Sequence, residues 1–444
     1  MERPRKIHGI AVITTCLLLA ACNGGGGNNS GDSDTVVVSA STVPYPPTPD
    51  SDAFYAQPST LPSVTPGTIL GFRTVTFAPL GIPLPNEAWQ LQFLSKDVNG
   101  RPIAAIATVI KPLIPRVGGA VLLSHQFAED SLGSRCAPSH TLTGGQINPL
   151  NDAELSKTTA ALALGWTVVV PDHEGPNSAF AAGRLHAHIT LDGIRAALQF
   201  APLGLSASTP VGLIGYSGGG IASAWAASYQ PSYAPELNLV GAAVGAPATN
   251  LIEVARNADT NPVTNAVYFS LVLGAIQGIN RAFPQLVTPY LNDKGKATFE
   301  AMKDGCVGGT SGVGGPYFED VTGGINRPTG HFDDYTSVPN LLDAPSTKAL
   351  APLINLPQSG HSPTTDVFLY HAATDELLLV AGTDETADAW CADGTPLHYY
   401  RLPVGEHIAT DVLVSPFAIT YLSSRFAGSQ GSFPPGTTSC DTSD

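Results

Sequence analysis

From about Ala105 onward the chain alternates short apolar, β-branched runs with stretches of helical periodicity. That rhythm predicts βαβ units around a mainly parallel sheet, an α/β fold with helices flanking the strands. Strands are expected at Ala104–Ile110, Gly119–Ser124, Thr167–Pro171, Val211–Ile214, Leu239–Val244, Val367–His371 and Leu397–Arg401. Helices are expected at Asn151–Leu164, Leu191–Phe200, Gly219–Tyr229 and Leu379–Cys391. Several strands are apolar at successive positions, which calls for helices on both sheet faces. Between Gly245 and about Thr364 the rhythm breaks into an apolar helical pattern at Asn265–Leu286, a second helix around Lys294–Lys303 and a Gly/Pro-rich stretch at Gly305–Pro328. We read residues 245–364 as a largely helical cap inserted over the carboxyl ends of the strands, with a core of residues 52–244 and 365–435 and a short tail of residues 436–444. A separate domain remote from any active site is the alternative.

The first residues read as an address. Arg3, Arg5 and Lys6 precede an apolar run from Ile10 to Ala20, too short for a permanent membrane helix and suited to the core of a signal peptide, residues 1–21. The run ends in Leu19-Ala20-Ala21-Cys22, which resembles the lipobox of bacterial lipoproteins and implies lipidation of Cys22 and association with a membrane. Residues 22–51, rich in Gly, Asn, Ser, Asp and Pro, then form a flexible tether. An ordinary signal peptide with an incidental Cys22 predicts free secretion instead.

Composition narrows the picture. At 444 residues and 43% hydrophobic, the chain has ample material for a large core. Its 36 acidic against 21 basic residues, net charge -15, disfavour nucleic acid as a partner. Outside the cytoplasm disulfides become favourable, and Cys136, Cys306, Cys391 and Cys440 form an even set with three possible pairings. No CxxC or Cys/His spacing suggests zinc, and His186 with His188 lacks a third ligand. No metal or organic cofactor is expected.

The decisive segment is Val211-Gly-Leu-Ile-Gly-Tyr-Ser217-Gly-Gly-Gly220, a β run entering G-x-S-x-G with a helical pattern behind it. Such a turn strains the serine backbone and leaves room only for glycine on either side, lifting the hydroxyl above the sheet edge. A serine needs a base oriented by a carboxylate, and in this arrangement the order is Ser, acid, His, each just past a strand. Asp375 follows the strand ending at His371, and His407 follows the one ending at Arg401. Ser217, Asp375 and His407 are therefore the predicted triad, with Glu376 the rival acid. His371, His125, His173 and His140 are read as structural, and the pairs Asp333-Asp334 and Glu129-Asp130 as surface charges.

At this point the chain resembles the secretory lipase family of lipase A-like α/β-hydrolases. The resemblance rests on GYSGGGIASAWAASYQPSYAPELNLVGAAVGAP from Gly215, SHQFAEDSLGSRCAPS from Ser124, VVVPDHEGPNSAFAAG from Val168, LDGIRAAL from Leu191, and the phrases HAATDE and VGEHIATD. It implies an α/β-hydrolase fold and the same triad. It also implies an oxyanion hole formed by the Gly218 N–H with Asp130, and disulfides Cys136–Cys306 and Cys391–Cys440. The implied activity is hydrolysis of carboxylic esters with an apolar acyl group, as in a triacylglycerol lipase. A serine peptidase, and a noncatalytic surface lipoprotein binding a hydrophobic ligand, are the rival readings.

Overall fold

A computed structural model describes residues 35–37, 43–145, 149–307 and 330–440. A two-stranded antiparallel ribbon pairs β1 (Thr35–Val37) with β2 (Thr60–Pro62). The main sheet has ten strands: β3 (Ile69–Thr76), β4 (Glu87–Lys96), β5 (Pro102–Ile110), β6 (Leu122–Gln126), β7 (Thr167–Pro171), β8 (Val211–Tyr216), β9 (Leu239–Gly245), β10 (Val367–Ala372), β11 (Leu397–Leu402) and β12 (Thr438–Cys440). Their order is β12-β11-β10-β9-β8-β6-β7-β5-β4-β3. The six strands from β11 to β7 are parallel, while β12, β5, β4 and β3 run antiparallel to their neighbours. The expected strand at Ala104–Ile110 is thus real but enters through a hairpin with β4, closed by Asp97 accepting from the N–H groups of Asn99 and Arg101.

The helices are α1 (Pro138–Thr141), α2 (Pro149–Ala163), α3 (Gly183–Gln199), α4 (Gly218–Tyr233), α5 (Leu251–Thr260), α6 (Pro262–Ala282), α7 (Pro284–Val287), α8 (Asp293–Met302), α9 (Pro345–Ile354), α10 (Val380–Ala392) and α11 (His407–Phe426). Strand residues feed two cores in turn, because successive side chains leave opposite faces. Leu122, Val169, Leu213, Val244 and Leu369 join one cluster with Trp225 of α4 and Trp390 of α10. Leu123, Val168, Ile214, Ala243 and Phe368 join the other with Leu162 of α2 and Tyr421 of α11. Both faces being covered, the central strands carry no polar edge to solvent.

Between β9 and β10 lie α5 to α9. The Gly/Pro-rich stretch at Gly305–Pro328 falls almost wholly outside the described residues, as do Cys22 and the signal segment. The described end of the expected tether, from Val43, lies against the body. Thr48 donates through N–H and hydroxyl to the Asp304 carboxylate, and the Tyr45 carbonyl accepts from Arg281. Disulfides join Cys136 to Cys306 and Cys391 to Cys440. The second tethers the edge strand β12 to α10. Among the described residues no helix is long and apolar enough to cross a membrane.

Candidate active site

Four loops that leave the carboxyl ends of parallel strands β6, β8, β10 and β11 meet at one edge of the sheet. Ser217, between β8 and α4, has φ +55° and ψ −120°, a backbone conformation that L residues adopt only when their surroundings enforce it. The enforcement is visible at its neighbours. A Cβ on Gly215 would lie 2.1 Å from the Gly219 carbonyl oxygen, and one on Gly219 would lie 2.0 Å from that of Gln126. The Ser217 N–H donates to the Gly245 carbonyl at 3.0 Å, fixing the turn to β9.

His407 is the first residue of α11, whose N-cap Glu406 accepts from the Ala409 N–H at 2.8 Å. Two more contacts hold it. The Tyr216 hydroxyl donates to the His407 carbonyl at 2.6 Å, and the His407 N–H donates to Glu376 Oε2 at 3.1 Å. Glu376, whose other oxygen accepts from Tyr268 of α6, thus grips the backbone of His407 and leaves the ring to Asp375. The imidazole reaches Ser217 Oγ with Nε2 at 2.8 Å and Asp375 Oδ2 with Nδ1 at 2.6 Å. Asp375 Oδ1 accepts from the N–H groups of Leu377 and Leu378.

His371 adds a contact that sequence reasoning missed. Its Nε2 faces two acceptors, Asp375 Oδ2 at 3.2 Å and the Leu378 carbonyl at 3.0 Å, so the proton sits on that nitrogen; Nδ1 meets the Thr383 hydroxyl at 2.8 Å. Its position four residues before Asp375, at the end of the same strand, was the available signal. Burial pushes the Asp375 carboxyl up, but hydrogen bonds from His371 and His407 outweigh it and hold it well below the usual carboxylate range. For His407 burial acts downward; hydrogen bonding to Asp375 and its negative charge, then Glu376 and Asp130, prevail and raise it above an ordinary histidine.

The loop after β6 corrects one expectation. Glu129 and Asp130 are buried, at 1% and 5% exposure, rather than surface charges. Asp130 has φ +42°, and its Oδ1 lies 1.7 Å from where a Cβ on Gly218 would stand. The carboxyl therefore rests on the Gly218 backbone, beside the serine and at the first turn of α4, where N–H groups lack intrahelical partners. Burial raises the Asp130 carboxyl to about 7, with His407 acting downward and Glu154 upward.

The remaining candidates stand apart. His125 contacts Thr158 and Glu154, His140 pairs with Asp50, and Asp333 accepts from the N–H groups of Asn340 and Leu341. A cavity, about 1120 Å³ with the solvent at its opening included, starts at Asp130, Ser217 and Gly218 and runs between α5, α6, α7, α8 and α9, past Ile221, Leu271, Ile276, Phe299 and Leu350. Its lining is mainly apolar, with Tyr290, Tyr335, Thr336 and Thr347 among the larger aliphatic set.

A strained serine between strand and helix, with acid and histidine on later loops of a mainly parallel sheet, defines the α/β-hydrolase fold. Residues 148–432 match the family model described as secretory lipase. The chain is 35% identical over 385 residues to a probable inactive lipase of Mycobacterium tuberculosis, covering 86% of this chain and 83% of that protein. It is 31% identical over 401 residues to a secreted triacylglycerol lipase of Malassezia globosa, covering 87% and 80%. The structure of Candida antarctica lipase A in its closed state superposes with a TM-score of 0.74 at 25% identity, covering 86% of this chain and 87% of that one. The chain belongs to the secretory lipase family.

Proposed function

We propose that the protein is an exported serine carboxylic ester hydrolase, a lipase or esterase acting through an acyl-enzyme on esters with an apolar acyl chain. The unbroken run of hydrogen bonds from Asp375 through His407 to Ser217 Oγ, ending at the mouth of the apolar cavity, carries the reading. His407 Nε2 takes the hydroxyl proton as Ser217 Oγ bonds to the ester carbonyl carbon. The oxyanion accepts from the Gly218 N–H and from Asp130, whose raised pKa lets its carboxyl act as a neutral donor. Collapse breaks the bond to the alcohol oxygen, which leaves with the proton from His407. Water then gives a proton to His407, bonds to the acyl carbon, and releases the acid with return of the proton to Ser217 Oγ. The anionic Asp375 supports the imidazolium in each half.

In this reading residues 245–364 cap the site, with α5, α6, α7, α8 and α9 supplying acyl-binding walls, and Cys22 anchors the exported chain to the cell envelope. The similarity to a probable inactive lipase favours a second reading, a noncatalytic protein that binds a hydrophobic ligand in the same cavity. Ser217→Ala separates them. Ester hydrolysis, assayed on p-nitrophenyl esters from short to long acyl chains, is expected to fall about 10⁶-fold in kcat. Equal turnover by the parent and the variant contradicts the proposal.

A further inference from the structure

The loop that carries Asp130 rests on buried side chains that the acyl transfer above does not use. His173 and Glu174 follow β7, His186 lies in the first turn of α3, and the fold brings one nitrogen or carboxylate oxygen from each within 4.8 Å of the other two. Glu129 joins them from the Asp130 loop, its Oε2 4.0 Å from His173 Nδ1. None of the four is more than 1% exposed, and none lines the substrate cavity. His173 Nδ1, His186 Nδ1, Glu129 Oε2 and Glu174 Oε1 all lack a hydrogen-bond partner. One buried polar atom without a partner is unfavourable; four gathered together point to a partner they share.

The chemistry of the set identifies that partner. His186 Nε2 sits 3.2 Å from the Ala179 carbonyl, an acceptor, so the proton is on Nε2 and Nδ1 presents a lone pair. A backbone carbonyl on the far nitrogen is the outer contact that metal-bound imidazoles make. The Glu129 and Glu174 carboxyls place oxygen ligands beside the two imidazoles.

We propose that His173, Glu174 and His186, with Glu129, form a buried site for one divalent transition-metal ion of the zinc type, which fixes the loop bearing Asp130. Three atoms mutually within 4.8 Å share a centre no more than about 2.8 Å from each, against metal–ligand lengths of about 2.0–2.2 Å for zinc. Small side-chain rotations close that gap. Two imidazoles with carboxylates favour zinc-type ions over calcium or magnesium, which prefer oxygen alone. Four protein ligands in a closed site make the role structural. The Ser131 N–H, next to Asp130, donates to Glu174 Oε2 at 3.4 Å, and its hydroxyl donates to the Glu129 carbonyl at 2.6 Å, so the ion would hold Asp130 from both sides. The sequence expectation of no metal paired His186 with His188. On α3 the latter ring turns instead to the carbonyls of Lys96 and Asp97.

The test uses the full exported protein purified without a histidine tag. Elemental analysis is expected to find about one transition-metal ion per chain, either as purified or after exposure to zinc chloride and desalting. Zinc is expected to raise Tm by several degrees over the chelator-treated protein. Cobalt(II) in its place should give visible absorption typical of four-coordinate nitrogen and oxygen ligands. His186→Ala should lower occupancy at least 10-fold; should that variant fail to fold, X-ray absorption on the zinc-loaded parent should read two imidazole nitrogens. No metal in the purified protein together with no uptake and no change in Tm overturns the proposal. Equal zinc binding by parent and a folded His186→Ala does so as well, by placing the ion elsewhere.

Discussion

Asp130 is the residue on which sequence and fold differ most. In a polar loop phrase, AEDS, it reads as exposed, because nothing local reveals that β6 delivers that loop under the helical segment between β9 and β10. Its burial makes a pH prediction. The proposed acyl transfer needs neutral His407, whose pKa lies above the ordinary 6.5, so kcat/KM is expected to be lost as pH falls through that raised value. It also needs protonated Asp130, raised to about 7. With His407 neutral its downward influence disappears, so the alkaline limb lies at or above that value. A bell-shaped profile is expected. Asp130→Asn, which keeps a donor that does not titrate, should retain activity within about tenfold and lose the alkaline limb, while Asp130→Ala should lower kcat about 10²–10³-fold. An unchanged alkaline limb in Asp130→Asn would assign that titration to another group.

At the scale of elements, legibility followed the apolar period. Helices expected at Asn151–Leu164, Lys294–Lys303 and Leu379–Cys391 begin and end within two residues of α2, α8 and α10. The first turns of α3 escaped because Arg184, His186 and His188 interrupt its apolar pattern, although both histidines are buried. Strand direction escaped as well, since period two is the same in parallel and antiparallel neighbours; hence β5 was taken into the βαβ rhythm and the hairpin with β4 was not foreseen. Nor does periodicity reveal polar ties between elements. Lys157 of α2, 1% exposed, bonds Glu154 at 2.8 Å and Asp411 of α11 at 2.7 Å. The paired carboxylates hold its pKa above the ordinary lysine value despite burial. Lys157→Met should therefore cost about 3–5 kcal/mol by leaving two buried carboxylates uncompensated, measured by denaturant unfolding. A loss under about 1 kcal/mol would contradict the network's role.

Across the whole molecule, the order of elements explains why the proposed triad could be picked out along the chain. Ser217, Asp375 and His407 each follow a strand of one parallel set, and such strands deliver their loops to the same edge. The segment between β9 and β10 was legible as an interruption expected to cap the strand ends, but the side chains it brings to the cavity were not, because all five helices from α5 to α9 contribute to the lining. The Cys136–Cys306 bridge closes a separation of 170 residues and keeps the Asp130 loop beside residues 305–307, where the Leu132 N–H also donates to the Gly305 carbonyl. Constraining a loop of that length restricts the unfolded chain more than the 49-residue separation of Cys391–Cys440 does. The central claim is that these distant positions make Ser217 an activated nucleophile, and the most direct measurement is covalent. The intact protein is treated with a p-nitrophenyl alkylphosphonate, and its peptides are mapped by mass spectrometry. One phosphonyl adduct on Ser217, formed in step with loss of ester hydrolysis and absent from His407→Ala, is the predicted result. Full loss of activity with no adduct on Ser217, or an adduct that forms equally fast without His407, would contradict it.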